Sequence, residues 1–241
     1  KPELEMFGAP LREHDERYDH LAEWLHVMRR LWTEDEEFDF TGSFFKIIKG
    51  SSMPKPLQAH IPIMNAGGSP RGQRFACEHA DMCFVILTSD RPEDTAKQIA
   101  DYKRMAREEF GREVMVWTYA PCVQRDTRAE AEAYLDHFAV QHADNAAVDN
   151  FIEGLAAQSQ IASPERLKEL RKRFAAGAGG SMLVGTAEDI AAQLHGYADA
   201  GLDGVLLTWV DFVDGQNRFN RDVMPLLERR GLRQPFAGAS A

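Results

Sequence analysis

Two short segments carry groups suited to holding an anion. In Ala66-Gly67-Gly68-Ser69-Pro70-Arg71-Gly72, a glycine pair follows an apolar run and precedes a helical pattern. Glycines let the backbone approach a phosphate closely, and the free N–H groups of a helix start point at it. Ser69 adds a hydroxyl donor, and Pro70 suits the first helical position whatever the loop binds. The same residues also describe a tight turn with a serine N-cap, and spacing does not separate the two readings. The second segment, His14-Asp15-Glu16-Arg17-Tyr18, opens a helical pattern with a guanidinium beside a phenol. Such a pair can clamp a phosphate, the guanidinium as a planar fork and the phenol through a hydrogen bond. An ordinary capped helix with an exposed arginine fits these residues too.

Other chemistries find little support. The eight histidines are scattered without the spacing of a metal-ligand pair, so no metal is expected. No nucleophile elbow and no P-loop occur, which removes the usual hydrolase and kinase signatures. A net charge of −10, with no long basic run, argues against nucleic acid. No apolar stretch is long enough to span a bilayer. Cys77, Cys83 and Cys122 show no Cys-x-x-Cys spacing and leave an odd one out. Reduced, packed thiols in a cytoplasmic protein are the expectation.

The elements that must position these segments follow from periodicity. Tyr18, Leu21, Trp24, Leu25, Met28, Leu31 and Trp32 recur at helical spacing after Asp15, a candidate N-cap. Phe38 to Phe40 and Phe44 to Ile48 flank Thr41-Gly42-Ser43 and read as a β-hairpin. Short apolar runs then alternate with helical patterns: strands at 61–65, 82–87, 114–123 and 204–210, each followed by a helix. Such alternation predicts an α/β fold with a parallel sheet covered by helices. Residues 129–180 interrupt the rhythm as a long, polar, helical insertion. With 241 residues, 44% of them hydrophobic, the chain reads as one domain, 1–241. Four βα units are half of an eight-stranded barrel, and a doubly wound sheet fits the rhythm equally.

Taken in order, the motifs resemble the bacterial-luciferase-like flavin-dependent monooxygenases. The resemblance rests on Lys1-Pro2-Glu3, Met6-Phe7-Gly8, His14 to Tyr18, Leu31-Trp32 and Phe38 to Gly42. It continues through Pro54-Lys55-Pro56, Ala66 to Ser69 and Gly185-Thr186. The nearest subgroups are the pyrimidine-ring-opening oxygenases, through Leu206-Leu207-Thr208-Trp209, and the dimethyl sulfone monooxygenases, through His14 to Tyr18. The resemblance implies a (β/α)8 TIM barrel of the luciferase-like type, with this chain holding its C-terminal part. It implies FMN at the C-terminal ends of the strands, contacted by Glu3, Arg17, Tyr18, Gly67, Gly68 and Ser69, the last with Arg17 and Tyr18 near the phosphate.

The function so implied is an oxidoreductase: a two-component monooxygenase using O2 and reduced FMN from a separate flavin reductase. A homo-oligomer is expected, with no nucleic-acid or membrane partner. The competing reading is a non-catalytic flavin-binding protein or accessory subunit of the same fold; a deazaflavin-dependent dehydrogenase is a third. Alkanesulfonate members place an Arg and a His on the strand that here reads Thr118-Tyr119-Ala120-Pro121. The candidate pocket strand offers Trp117, Tyr119 and Cys122 but no cation, which points to a small neutral substrate, an N-heterocycle or organosulfur compound. The first four barrel strands have no counterpart here, so roughly a hundred further N-terminal residues, or a partner chain, are expected to close the barrel.

Overall fold

The computed structural model describes residues 4, 6–8, 10–87, 89, 91–158, 171–177 and 179–235. Helix α1 (His14–Thr33) starts one residue before Asp15, with Glu13 in the cap position and no side-chain cap bond. Asp15 and Glu16 therefore occupy the first turn, where negative charge suits the helix N-terminus. The expected hairpin forms from β1 (Phe38–Thr41) and β2 (Lys46–Gly50), antiparallel, with Phe40 opposite Ile47. It lies along α1: Phe44 and Phe45 meet His20, Phe40 meets His26, and Arg30 covers the Phe38 ring at 3.9 Å.

The alternating units follow. They are β3 (Met64–Asn65), α2 (Pro70–His79), β4 (Met82–Phe84), α3 (Pro92–Phe110) and β5 (Met115–Gln124). Next come α4 (Arg128–Asp136), which runs into a π-helical turn, then α5 (Asn145–Gln158) and α6 (Arg171–Gly177). The chain continues with β6 (Leu183–Gly185), α7 (Ala187–Asp199), β7 (Gly204–Thr208), α8 (Phe212–Arg218) and α9 (Met224–Arg229). Gly111 ends α3 with φ 63°, a left-handed cap that glycine adopts without a Cβ penalty. Of the stretch expected as an insertion, 159–170 and 178 lie outside the described residues. β6 and α7 were not among the expected elements. Their signal was present, since Thr186 and Asp189 form a capping box at the start of α7.

The sheet is parallel. β3 pairs with β4, and β4 with β5 through Met82–Phe84 and Met115–Trp117. β7 pairs with the opposite edge of β5, Trp117 to Gly204 and Pro121 to Thr208, while Cys122–Gln124 pair with β6. Among the described residues the outer edges of β3 and β7 have no strand partner.

Side-chain alternation divides the strands into two faces. Cys83, Val85 and Leu87, with Val116, Ala120 and Cys122, are buried against the helices. The opposite face carries Met64, Ile86, Met115 and Leu206, each between 36% and 49% exposed. This placement corrects one expectation. Cys122 sits on the helix-packed face beside Leu183 and Ile190, where burial pushes its thiol up to about 12. It is a packed small hydrophobe rather than a pocket residue. Cys77 and Cys83 are fully buried and all three thiols are free.

Candidate functional site

The glycine stretch folds as a strand-to-helix turn with a serine cap. Ser69 caps α2: its hydroxyl oxygen accepts the Gly72 N–H at 3.1 Å, and Pro70 fills the first turn. That bond uses an acceptor lone pair, so the hydroxyl keeps its own hydrogen as a donor. A serine can thus cap its helix and still hold an anion. The Gly67 N–H is taken by Asn65 Oδ1 at 3.0 Å. A Cβ on Gly67 would lie 2.2 Å from the Gly72 carbonyl oxygen, so the turn closes on itself more tightly than any other residue allows.

Helix α1 reaches this turn through Tyr18. A Cβ on Gly72 would meet the Tyr18 hydroxyl at 2.4 Å, and the Tyr18 ring packs 5.5 Å from Phe75 of α2. Tyr18 therefore meets Gly72, the residue whose N–H Ser69 caps, from a helix far earlier in the chain. Arg71 extends the link with an ion pair to Asp19 at 2.5 Å. Beside it lies an open depression of about 500 Å³ lined by Glu13, His14, Asp15, Pro70 and Arg71. Arg17 stands next to Tyr18, solvent-exposed, and its side chain has no partner among the described residues. Glu3 lies outside the described residues.

A second polar arrangement stands on the exposed sheet face. Tyr119 of β5 donates its hydroxyl to the Gly177 carbonyl at 2.6 Å and accepts the Gly180 N–H at 2.8 Å. Its ring stacks on Phe84 of β4 at 6.0 Å and 21°. A Cβ on Gly180 would fall 2.7 Å from the Tyr119 ring, so glycine is needed for this approach. Desolvation raises the Tyr119 pKa, so the phenol stays protonated and its hydroxyl is occupied by the backbone. Sequence reasoning found Tyr119 but not this attachment, which links residues about sixty positions apart.

The family model for luciferase-like monooxygenases matches residues 1–204, and the chain belongs to that family. It is 30% identical over 229 residues to the pyrimidine monooxygenase RutA of Allorhizobium ampelinum, across 89% of this chain and 59% of the relative. It is 30% identical to an FMNH(2)-dependent dimethylsulfone monooxygenase of Pseudomonas putida, across 94% of this chain and 63% of the relative. Among solved structures, long-chain alkane monooxygenase LadA superposes with a TM-score of 0.77 at 22% identity, over 97% of this chain and 61% of that one. The fold is therefore that of the luciferase-like α/β proteins, and the chain spans about three-fifths of these relatives' lengths.

Proposed function

We propose that the protein is a monooxygenase that uses reduced FMN and O2 on a small neutral organic molecule, an N-heterocycle or an organosulfur compound. The observation that carries this reading is the turn at Gly67 to Ser69, a cradle with a free hydroxyl hydrogen closed against Tyr18 of α1. Family membership supports the FMN phosphate as that anion. One relative is named for its dependence on FMNH2. Bound there, reduced FMN from a separate flavin reductase would supply the activation of oxygen. The protein's own residues bind, orient and exclude water. Ser69 donates to the phosphate, Arg17 neutralises it from the start of α1, and Tyr18 wedges the two helices at the right spacing. Glu3 is assigned to the flavin on family grounds alone.

The substrate class rests on the sheet face that carries Trp117, Tyr119 and Pro121. Among the described residues no cation stands on it, and the Tyr119 phenol is already bonded to Gly177 and Gly180. Relatives named for pyrimidines and for dimethylsulfone act on uncharged molecules. The open edges of β3 and β7 would receive the remaining strands of an eight-stranded barrel. A homo-oligomer in the cytoplasm completes the reading, in keeping with three free thiols and no helix among the described residues long and apolar enough to cross a membrane.

Comparison of FMN with riboflavin, which lacks the phosphate, tests the cradle. A hydrogen bond to a charged group contributes about 1.5–3 kcal/mol. Ser69→Ala should therefore weaken FMN at least about ten-fold, Arg17→Ala should weaken it further, and riboflavin should hardly change. Equal losses for both flavins would reduce these residues to holding the fold. Consumption of uracil or dimethyl sulfone that requires both FMNH2 and oxygen separates an enzyme from a flavin-binding protein without turnover. Robust turnover of an alkanesulfonate would refute the neutral-substrate assignment.

A further inference from the structure

Each carbonyl of the glycine turn is held from behind by a group that the flavin reading leaves unused. Tyr102 of α3 donates its hydroxyl to the Gly67 carbonyl at 3.2 Å. Gln73 of α2 donates its side-chain amide to the Gly68 carbonyl at 3.2 Å, and its backbone N–H to the Ser69 carbonyl at 2.7 Å. Both peptides, 67–68 and 68–69, are trans. In a planar trans peptide the carbonyl of one residue and the N–H of the next point in opposite directions. Pulling the Gly67 and Gly68 carbonyls toward α2 and α3 therefore turns the Gly68 and Ser69 N–H groups the other way. Neither of those two N–H groups has a partner among the described residues.

We propose that Tyr102 and Gln73 are positioning residues that set the polarity of this turn, so that two backbone N–H groups and the Ser69 hydroxyl face a phosphate monoester together. The inference rests on the flavin reading and names what makes its phosphate site.

Three features suit Tyr102 to the task. It is only 5% exposed, within the core formed by Cys77, Cys83 and Ile99. Desolvation raises its pKa, so the hydroxyl keeps the proton it donates. Its own carbonyl receives the Cys77 thiol at 3.5 Å, which ties α3 to α2 directly behind the turn. Glycine at 67 and 68 makes such buttressing necessary, because a glycine pair without it has many conformations of similar energy. Without Tyr102 the Gly67 peptide is free to flip, and a flipped peptide presents a carbonyl to the phosphate instead of an N–H.

The test measures equilibrium binding of FMN and of riboflavin to the full chain, with Tm alongside. Tyr102→Phe keeps the ring and removes the donor; Gln73→Met keeps the length and removes the amide. Losing one neutral hydrogen bond changes an equilibrium by about two- to ten-fold. Each variant should weaken FMN by about five-fold and leave riboflavin within about two-fold. A merely structural role would lower Tm and weaken both flavins in parallel, and that result overturns the proposal. Ser69→Ala is measured in the same series. If Ser69→Ala loses FMN selectively while Tyr102→Phe and Gln73→Met keep the FMN-to-riboflavin ratio, the positioning roles fall alone. If Ser69→Ala also leaves the ratio unchanged, the phosphate site itself falls. Should Tyr102→Phe fail to fold, Gln73→Met decides, since Gln73 is only partly buried.

Discussion

The turn at Gly67 to Ser69 and the top of β5 at Tyr119 handle backbone polarity in opposite ways. At the turn, the carbonyls are bonded inward and the N–H groups of Gly68 and Ser69 are left facing out. At Tyr119, one phenol takes both a carbonyl and an N–H, from Gly177 and Gly180, and what remains is an aromatic face stacked on Phe84. One region offers charge-seeking donors and the other hides its polar atoms. The β-hairpin shows the same device satisfied internally. There the N–H groups of Ser43, Phe44 and Phe45 converge on the Glu23 carboxylate at 2.7–2.9 Å. Among the described residues the glycine turn has no such carboxylate of its own.

The largest expected effect breaks the turn by bulk. Gly67→Ala places a methyl against the Gly72 backbone, which cannot move aside as a side chain does. Overpacking of this kind destabilises by about 3 kcal/mol, and FMN binding should be lost with it. Gly196→Ala is the contrast: nothing lies within 4 Å of its added Cβ in the middle of α7. Helix propensity should make that variant more stable by about 0.5–1 kcal/mol. Urea denaturation of the two variants reads both numbers, and a neutral Gly67→Ala would show that the turn has room to open.

A smaller effect is expected at the other region. Tyr119→Phe keeps the stack on Phe84 and leaves the Gly177 carbonyl and the Gly180 N–H only their long 3.5 Å bond to each other, at a cost of about 0.5–1.5 kcal/mol. Faster amide exchange at Gly180, with the FMN-to-riboflavin ratio unchanged, would confirm that the two regions act separately. A changed ratio would mean that they are coupled.

The smallest effect lies at the hairpin and depends on pH. Burial acts to raise the Glu23 pKa, but the N–H groups of Phe45, Phe44 and Ser43 together bring it below its ordinary value of 4.5. A carboxylate lowered in the folded state stabilises above its unfolded pKa, and that contribution is lost as pH falls through the folded value. The hairpin should therefore loosen on acidification below 4.5, seen as a change in the His20–Phe44–Phe45 aromatic signals. Glu23→Gln should flatten that titration; an unaltered profile would move the pH dependence elsewhere.

Much of the site was legible from short-range chemistry. A Gly-Gly-Ser-Pro run between an apolar strand and a helical period specifies a capped turn, because the cap bond spans only Ser69 to Gly72. The i, i+3, i+4 pattern gave α1, and the alternation of apolar runs with helices gave the parallel sheet. Which face of β5 looks where was not legible. A strand covered by apolar neighbours reads the same in either phase of its two-residue period. Packing against α3 and α7 decided it, turning Cys122 inward to the helices and Tyr119 to the open face. The three-residue β6 was too short for periodicity to register. Tyr102 could not be linked to Gly67 from the sequence either, because a hydrogen bond across 35 residues leaves no local pattern. The residues on the turn followed from local spacing, but the direction in which its amides point depends on a tyrosine that only tertiary packing brings behind it.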